Sequence, residues 1–177
     1  MIIVEGCDNT GKTTLINELC RNNIMLKLNP KGVRPAPREV LIDYLEDTLK
    51  GDRWSNLHQI FDRFPLISER VYGMALRGEY VLTEADFNKY DTMMYRMIPL
   101  VIYCDRPQHR ILASFGDREQ LDGVAEKITT IQRLYESTFD SLGLAWFVRY
   151  NYEEPNDYIR VARKLKNYLN SSGRRLW

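Results

Sequence analysis

Apolar runs and helically spaced apolar positions alternate along this chain from one end to the other. The run IIVE at 2–5 reads as a buried strand, and after Lys12 the residues Leu15, Ile16 and Leu19 share one helical face. IMLKLN at 24–29 reads as a second strand, closed by Pro30 and Gly32. From Pro37 to Leu49, Val40, Leu41, Tyr44, Leu45 and Leu49 recur at helical spacing. LHQIF at 57–61 predicts a third strand, feeding a helix over 67–76 that stops at Gly78. Thr83 with Asp86 resembles a capping box for a helix running towards Met97. LVIYC at 100–104 is the clearest buried strand. Ile128, Ile131, Leu134, Tyr135 and Leu142 then mark a long helix, LAWFVRY a fifth strand, and Ile159, Ala162, Leu165 and Leu169 a last helix.

This alternation predicts an α/β fold, a mainly parallel sheet with helices on both faces, as a single domain over 1–177. Two segments lack periodicity, NPKGVRPAP at 29–37 and SFGDREQLDG at 114–123. In an open α/β sheet such loops flank the ligand crevice at the carboxyl ends of the strands, although irregular surface loops are common. Composition narrows the partners. A net charge of +1 supplies no overall drive towards nucleic acid or a membrane surface, which leaves only a local basic groove open. The three cysteines, Cys7, Cys20 and Cys104, form no C-x-x-C pair and read as free thiols. No apolar stretch approaches the roughly 20 residues of a membrane span, and the N-terminus lacks a signal-peptide pattern, so a soluble cytoplasmic protein is expected.

The segment Gly6, Cys7, Asp8, Asn9, Thr10, Gly11, Lys12, Thr13 fits G-x-x-x-x-G-K-[ST] at every fixed position, with Thr14 following. Glycines let the backbone curl so that successive N–H groups point at phosphate oxygens, and the helix that follows adds its positive end. Lys12 is expected to reach the β- and γ-phosphates, and the Thr13 hydroxyl to ligate Mg²⁺. A strand before the motif and a helix after it make a nucleoside-triphosphate site the expected function. NKYD at 88–91 matches the guanine reader of GTPases, but it follows TEADF on an expected helix and not an apolar strand. The only D-x-x-G matches, Asp8–Gly11 and Asp140–Gly143, are misplaced for a switch. A GTPase is therefore not expected.

EGCDNTGKTT at 5–14 and FDRF at 61–64, with Ser68, Tyr72 and Gly73 downstream, resemble the thymidylate kinase family, which shows EG-x-D-x-x-GK-[ST] and a later DR-aromatic motif. LVIYCDRP and SFGDREQLDG resemble the family's strand before the lid and the lid itself, so the likeness covers most of the chain. It implies a P-loop NTPase fold with a five-stranded parallel sheet and a short lid. It also implies transfer of the γ-phosphoryl of ATP to a deoxynucleoside monophosphate, with a pyrimidine (dTMP-like) acceptor favoured. By position, Asp8 would contact the acceptor's 3′-OH, Arg63 would bind its phosphate, and Asp62 would sit beside Mg²⁺ and the transferring group. Arg118, then Arg110, would be the lid arginines, and Phe64 and Tyr72 candidates for the acceptor base. The bare chemistry agrees, since bringing two polyanions into line needs cations on both sides, and the Arg fork suits phosphate.

The chain departs from the family in two places. Ser68 and Tyr72 each fall one residue later than the family's serine and aromatic, where Ile67 and Val71 stand, while the Gly73 spacing is kept. NPKGVRP replaces the family's R-E-P-G, so Lys31, Arg34 or Arg38 would have to supply acceptor contacts. The plainer reading of Asp62 and Arg63 is an ion pair at a strand end, and of Arg110 and Arg118 a solvated helix face. Phe64 and Tyr72 fit core packing equally well, as do Trp54 and Phe61, and His58 and His109 have no metal-ligand spacing. Two other functions stay open: a P-loop kinase phosphorylating a hydroxyl on a nucleoside, modified base or nucleic-acid end, and an NTP-binding ATPase or regulator. A homodimer through the helices near 67–76 and 84–97 is a further expectation.

Overall fold

The computed structural model describes residues 1–30, 36–51, 56–115 and 123–173. Its strands are β1 (Ile2–Gly6), β2 (Lys27–Leu28), β3 (Gln59–Asp62), β4 (Leu100–Cys104) and β5 (Trp146–Tyr150). They form one parallel sheet in the order β2-β3-β1-β4-β5. Every residue of β1 and β4 is buried, which is why both strands read as unbroken apolar runs.

Side chains alternate between two cores. Met1 and Ile3, with Val101 and Tyr103, face α2 (Arg38–Leu49), α4 (Glu84–Met97) and α6 (Val124–Leu142). Ile2 and Val4, with Leu100 and Ile102, face α1 (Lys12–Asn22) and α7 (Asp157–Gly173). Glu5 continues the odd-numbered face and is fully buried.

Three expectations change in detail. The second strand shrinks to two residues at the sheet edge. Ile24 is 91% exposed, and the Met25 N–H turns back to the Asn23 carboxamide, so the chain enters the sheet late. The third strand starts at Gln59, whose N–H closes a turn onto the Asn56 carbonyl, and it therefore ends on Asp62. The helix expected over 67–76 is α3 (Pro65–Ser68) running into a π-helical segment, Glu69–Arg77, which stops at left-handed Gly78. A short helix, α5 (Gln108–Ala113), has no counterpart in the sequence pattern. NKYD lies inside α4, away from any strand end, so it is no guanine reader.

The capping box is present. The Asp86 N–H donates to the Thr83 hydroxyl (3.2 Å), and the Thr83 N–H donates to the Asp86 carboxylate (2.8 Å). That carboxylate also receives a bidentate fork from Arg38 on α2, at 2.7 and 2.8 Å. Thr83→Ala should therefore cost about 1 kcal/mol of stability, read as a lower midpoint in denaturant unfolding. An unchanged midpoint would show that the cap contributes nothing.

Candidate active site

The loop after β1 is shaped by its neighbours. Gly6 has φ +143°, and a Cβ there would lie 2.3 Å from the Cys104 carbonyl oxygen, so only glycine lets β1 end this close to β4. Gly11 has φ +83°, and a Cβ there would meet the Tyr152 ring at 2.6 Å. The Thr10 hydroxyl closes the loop onto the Cys7 carbonyl (2.8 Å). α1 starts at Lys12, whose ammonium donates to the Gly6 (3.0 Å) and Cys7 (2.5 Å) carbonyls. Burial, with Arg63 nearby, pulls the Lys12 pKa down to about 8. Thr13 and Thr14 are exposed on the first turn of α1.

β3 delivers the second half of the site. The register pairs Asp62 with Val4, so the FDRF turn emerges beside the loop. Arg63 stands in the left-handed region at φ +70°, unusual for a side chain of this size, and its N–H donates to the Val4 carbonyl (2.9 Å). Its guanidinium pairs with Asp8 (2.5 Å) and lies over the Tyr72 ring, 4.5 Å from the centroid. Arg63 is thus paired with the phosphate-loop acid, and the plain Asp62–Arg63 ion pair gives way to that contact. Among the described residues, Asp62 Oδ1 is buried with no hydrogen-bond partner.

Tyr72, which falls late, lies inside the π-helical segment, whereas Ser68 ends α3 just before it. An i→i+5 turn is wider than an α-turn and absorbs one extra residue. Ser68 Oγ reaches the Glu5 carboxylate (3.3 and 3.4 Å), and Tyr72 lands beneath Arg63. Gly73 leaves room for the Glu69–Arg77 ion pair (2.5 Å), since a Cβ there would stand 2.9 Å from Glu69 Oε1 and 2.8 Å from Arg77 Nη2.

The remaining expected residues are scattered. Phe64 is 0% exposed, packed edge-on to Tyr44 and Phe61, so its ring belongs to the core and presents no face to a ligand. Arg38 is engaged by Asp86. Arg110 is exposed on α5. Arg118, most of the lid expected at 114–123, Lys31, Arg34 and Trp54 lie outside the described residues. Cys7, Cys20 and Cys104 are free, and burial pushes the Cys7 and Cys104 thiols up to about 12, which removes them as nucleophiles.

Three residues carried no functional signal in the sequence. Arg106, just past β4, donates to the Asn9 carbonyl (3.3 Å), the Ser114 hydroxyl (3.2 Å) and Glu153 (2.8 and 3.0 Å). It also lies 4.9 Å from the centroid of Tyr152, the ring that covers Gly11. Tyr135 on α6 donates from its hydroxyl to Glu5 (3.0 Å), with the Gly6 carbonyl at 3.2 Å.

These residues suit Mg²⁺ with a nucleotide. Mg²⁺ needs few protein ligands and keeps water and phosphate oxygens for the rest. One orphaned carboxylate oxygen on Asp62 and one exposed hydroxyl on Thr13 match that demand. Among the described residues no cluster of three His, Cys, Asp or Glu side chains could cage a metal. No described helix is long and apolar enough to cross a membrane.

No protein-family profile and no curated protein matches the chain. Solved structures do. The YorR protein of Bacillus subtilis, in complex with phosphorylated GDP, aligns over 97% of both chains at TM-score 0.73 and 20% identity. Deoxyadenosine kinase from M. mycoides with bound dCTP aligns over 97% of this chain and 100% of its own, at TM-score 0.51 and 18% identity. Thymidylate kinase from Candida albicans covers 94% of this chain and 90% of its own, at TM-score 0.54 and 11% identity. The chain therefore shares the five-stranded α/β fold of these structures, as the sequence reading expected.

Burial raises the Glu5 pKa to about 7, against the pull of Arg63, the Phe64 N–H, Tyr135 and Lys12. A carboxyl raised on folding stabilises the native state fully below its unfolded value of 4.5, and this contribution is lost as pH rises through about 7. The stability advantage of wild type over Glu5→Gln should therefore shrink by about 2 kcal/mol between pH 5 and pH 8 in denaturant unfolding. A constant difference would mean that Glu5 does not titrate on folding.

Proposed function

We propose that this protein is an ATP- and Mg²⁺-dependent kinase transferring the γ-phosphoryl group to a deoxynucleoside monophosphate, with a pyrimidine (dTMP-like) acceptor favoured. The observation that carries this reading is the Arg63 guanidinium, held against Asp8 and Tyr72 at the strand end next to the phosphate loop. A cation fixed beside the donor cradle is what a phosphate-bearing acceptor requires. Likeness of fold to a deoxyadenosine kinase with bound dCTP, a thymidylate kinase and a protein in complex with phosphorylated GDP supports the same class.

In this reading the loop N–H groups and Lys12 hold the donor phosphates, and Tyr152 and Arg106 flank its base side. Thr13 and Asp62 would hold Mg²⁺, which would supply charge neutralisation for the donor phosphates. Arg63 holds and aligns the acceptor phosphate, and Asp8 orients both Arg63 and the sugar hydroxyl. A nucleoside monophosphate has a second pKa near ~6, so it is already largely dianionic at neutral pH and needs no general base. A cytoplasmic location and a homodimer fit this class of enzyme.

One observation favours a hydroxyl acceptor as the second reading. Asp62 places a carboxylate oxygen, without a partner among the described residues, at the strand end where a hydroxyl acceptor would need a base. ADP release measured with nucleosides, nucleoside monophosphates or no acceptor separates both readings from a slow ATPase. Lys12→Ala should lower turnover roughly 10²–10⁴-fold in either kinase. For a monophosphate kinase, Arg63→Ala should be the severe change, chiefly in acceptor KM, and Asp62→Asn should leave no base ionisation missing from the pH–rate profile. The reverse order, with nucleosides phosphorylated and monophosphates ignored, would overturn the proposal.

A further inference from the structure

Glu5 is fully buried, and none of the donor or acceptor chemistry above uses it. Three separate elements nevertheless converge on its carboxylate. The Phe64 N–H donates to it at 2.6 Å from the turn after β3, the Ser68 hydroxyl at 3.3 Å from α3, and the Tyr135 hydroxyl at 3.0 Å from α6. The same Tyr135 oxygen stands 3.2 Å from the Gly6 carbonyl and 3.5 Å from Arg63 Nη1, so it touches the phosphate loop and the guanidinium together.

We propose that Glu5 and Tyr135 are positioning residues that hold the left-handed turn at Arg63 and aim its guanidinium at the acceptor phosphate. The proposal rests on Arg63 being the acceptor-phosphate residue. A large side chain at φ +70° persists only where its surroundings over-determine the backbone. Two consecutive amides do so here. The Arg63 N–H is bound to Val4 and the Phe64 N–H to Glu5, so both are tied to β1. The Phe64 ring, locked between Tyr44 and Phe61, fixes the far side of the turn. Without the Glu5 carboxylate the Phe64 N–H would be left buried and unpaired, and the turn would lose the contact that sets its direction. Tyr135 extends the support from the backbone to the side chain, since its hydroxyl donates to Glu5 and receives the Arg63 guanidinium at 3.5 Å.

The test compares thymidine 5′-monophosphate with thymidine, which lacks the group that Arg63 meets. Both are titrated calorimetrically into folded wild type, Glu5→Ala, Glu5→Gln and Tyr135→Phe, alongside ATP. Glu5→Ala should weaken monophosphate binding about tenfold or more and leave thymidine and ATP within about threefold. Tyr135→Phe should move in the same direction by about threefold to fivefold. Glu5→Gln, which keeps one oxygen for the Phe64 N–H, should recover most of the loss. If Glu5→Ala does not fold, Tyr135→Phe carries the test by the same phosphate-selective loss. Equal losses for monophosphate, thymidine and ATP, or no loss in folded variants, would overturn the positioning role. A wild type that binds no nucleoside monophosphate would overturn the acceptor reading and this proposal with it.

Discussion

The site depends on one contact, the ion pair between Arg63 and Asp8 across the ends of two parallel strands. Neither residue could reach the other without the register that sets Asp62 beside Val4. That register follows from β1 being buried on both faces and flanked by β3 and β4. A slip of one residue in β3 would move Arg63 to the other face of the sheet, away from the loop. The sheet is thus the device that brings a phosphate cradle and a second cation to one edge. The glycine at Gly6, which lets β1 end against Cys104, is part of the same constraint.

Around this pair the protein buries Glu5, Lys12 and Arg63 within one hydrogen-bonded group. Removing such charges from water costs several kcal/mol per ion unless partners compensate, so a fold gains little stability from keeping them. In the proposed function their value lies in preorganisation: dipoles and cations already aimed where phosphate charge would sit need no rearrangement during transfer. The Lys12 ammonium is held by the loop's own carbonyls at Gly6 and Cys7. The Asp62 oxygen belongs to the same picture, being a buried polar atom with no partner among the described residues.

Much of this was legible in the sequence, for identifiable reasons. The phosphate loop is readable because Gly6, Gly11 and Lys12 stand at fixed spacing between a buried run and a helical face. The gathering of Asp8, Asp62 and Arg63 is readable because strand ends in a parallel sheet share one edge. β2 was overextended because an edge strand with one neighbour need not use all of its apolar run. The π-helical segment escaped because apolar periodicity does not separate a wide turn from an α-turn. α5, at six residues, is too short to show a period. Arg38 looked available because nothing local reveals that Asp86, 48 positions away, takes its fork. Arg106 and Tyr135 were missed for the same reason, their partners Asn9 and Glu5 lying 97 and 130 positions away.

The central claim is that this edge joins a donor phosphate to an acceptor that already carries one. Phosphorus NMR of the wild-type protein with Mg²⁺, ATP and thymidine 5′-monophosphate reads the bond formed. The account predicts that the monophosphate resonance decays as the paired α and β resonances of a nucleoside diphosphate grow, with ADP in equal amount. Inorganic phosphate growing alone beside ADP, or a new phosphomonoester formed only when thymidine replaces the monophosphate, would contradict it.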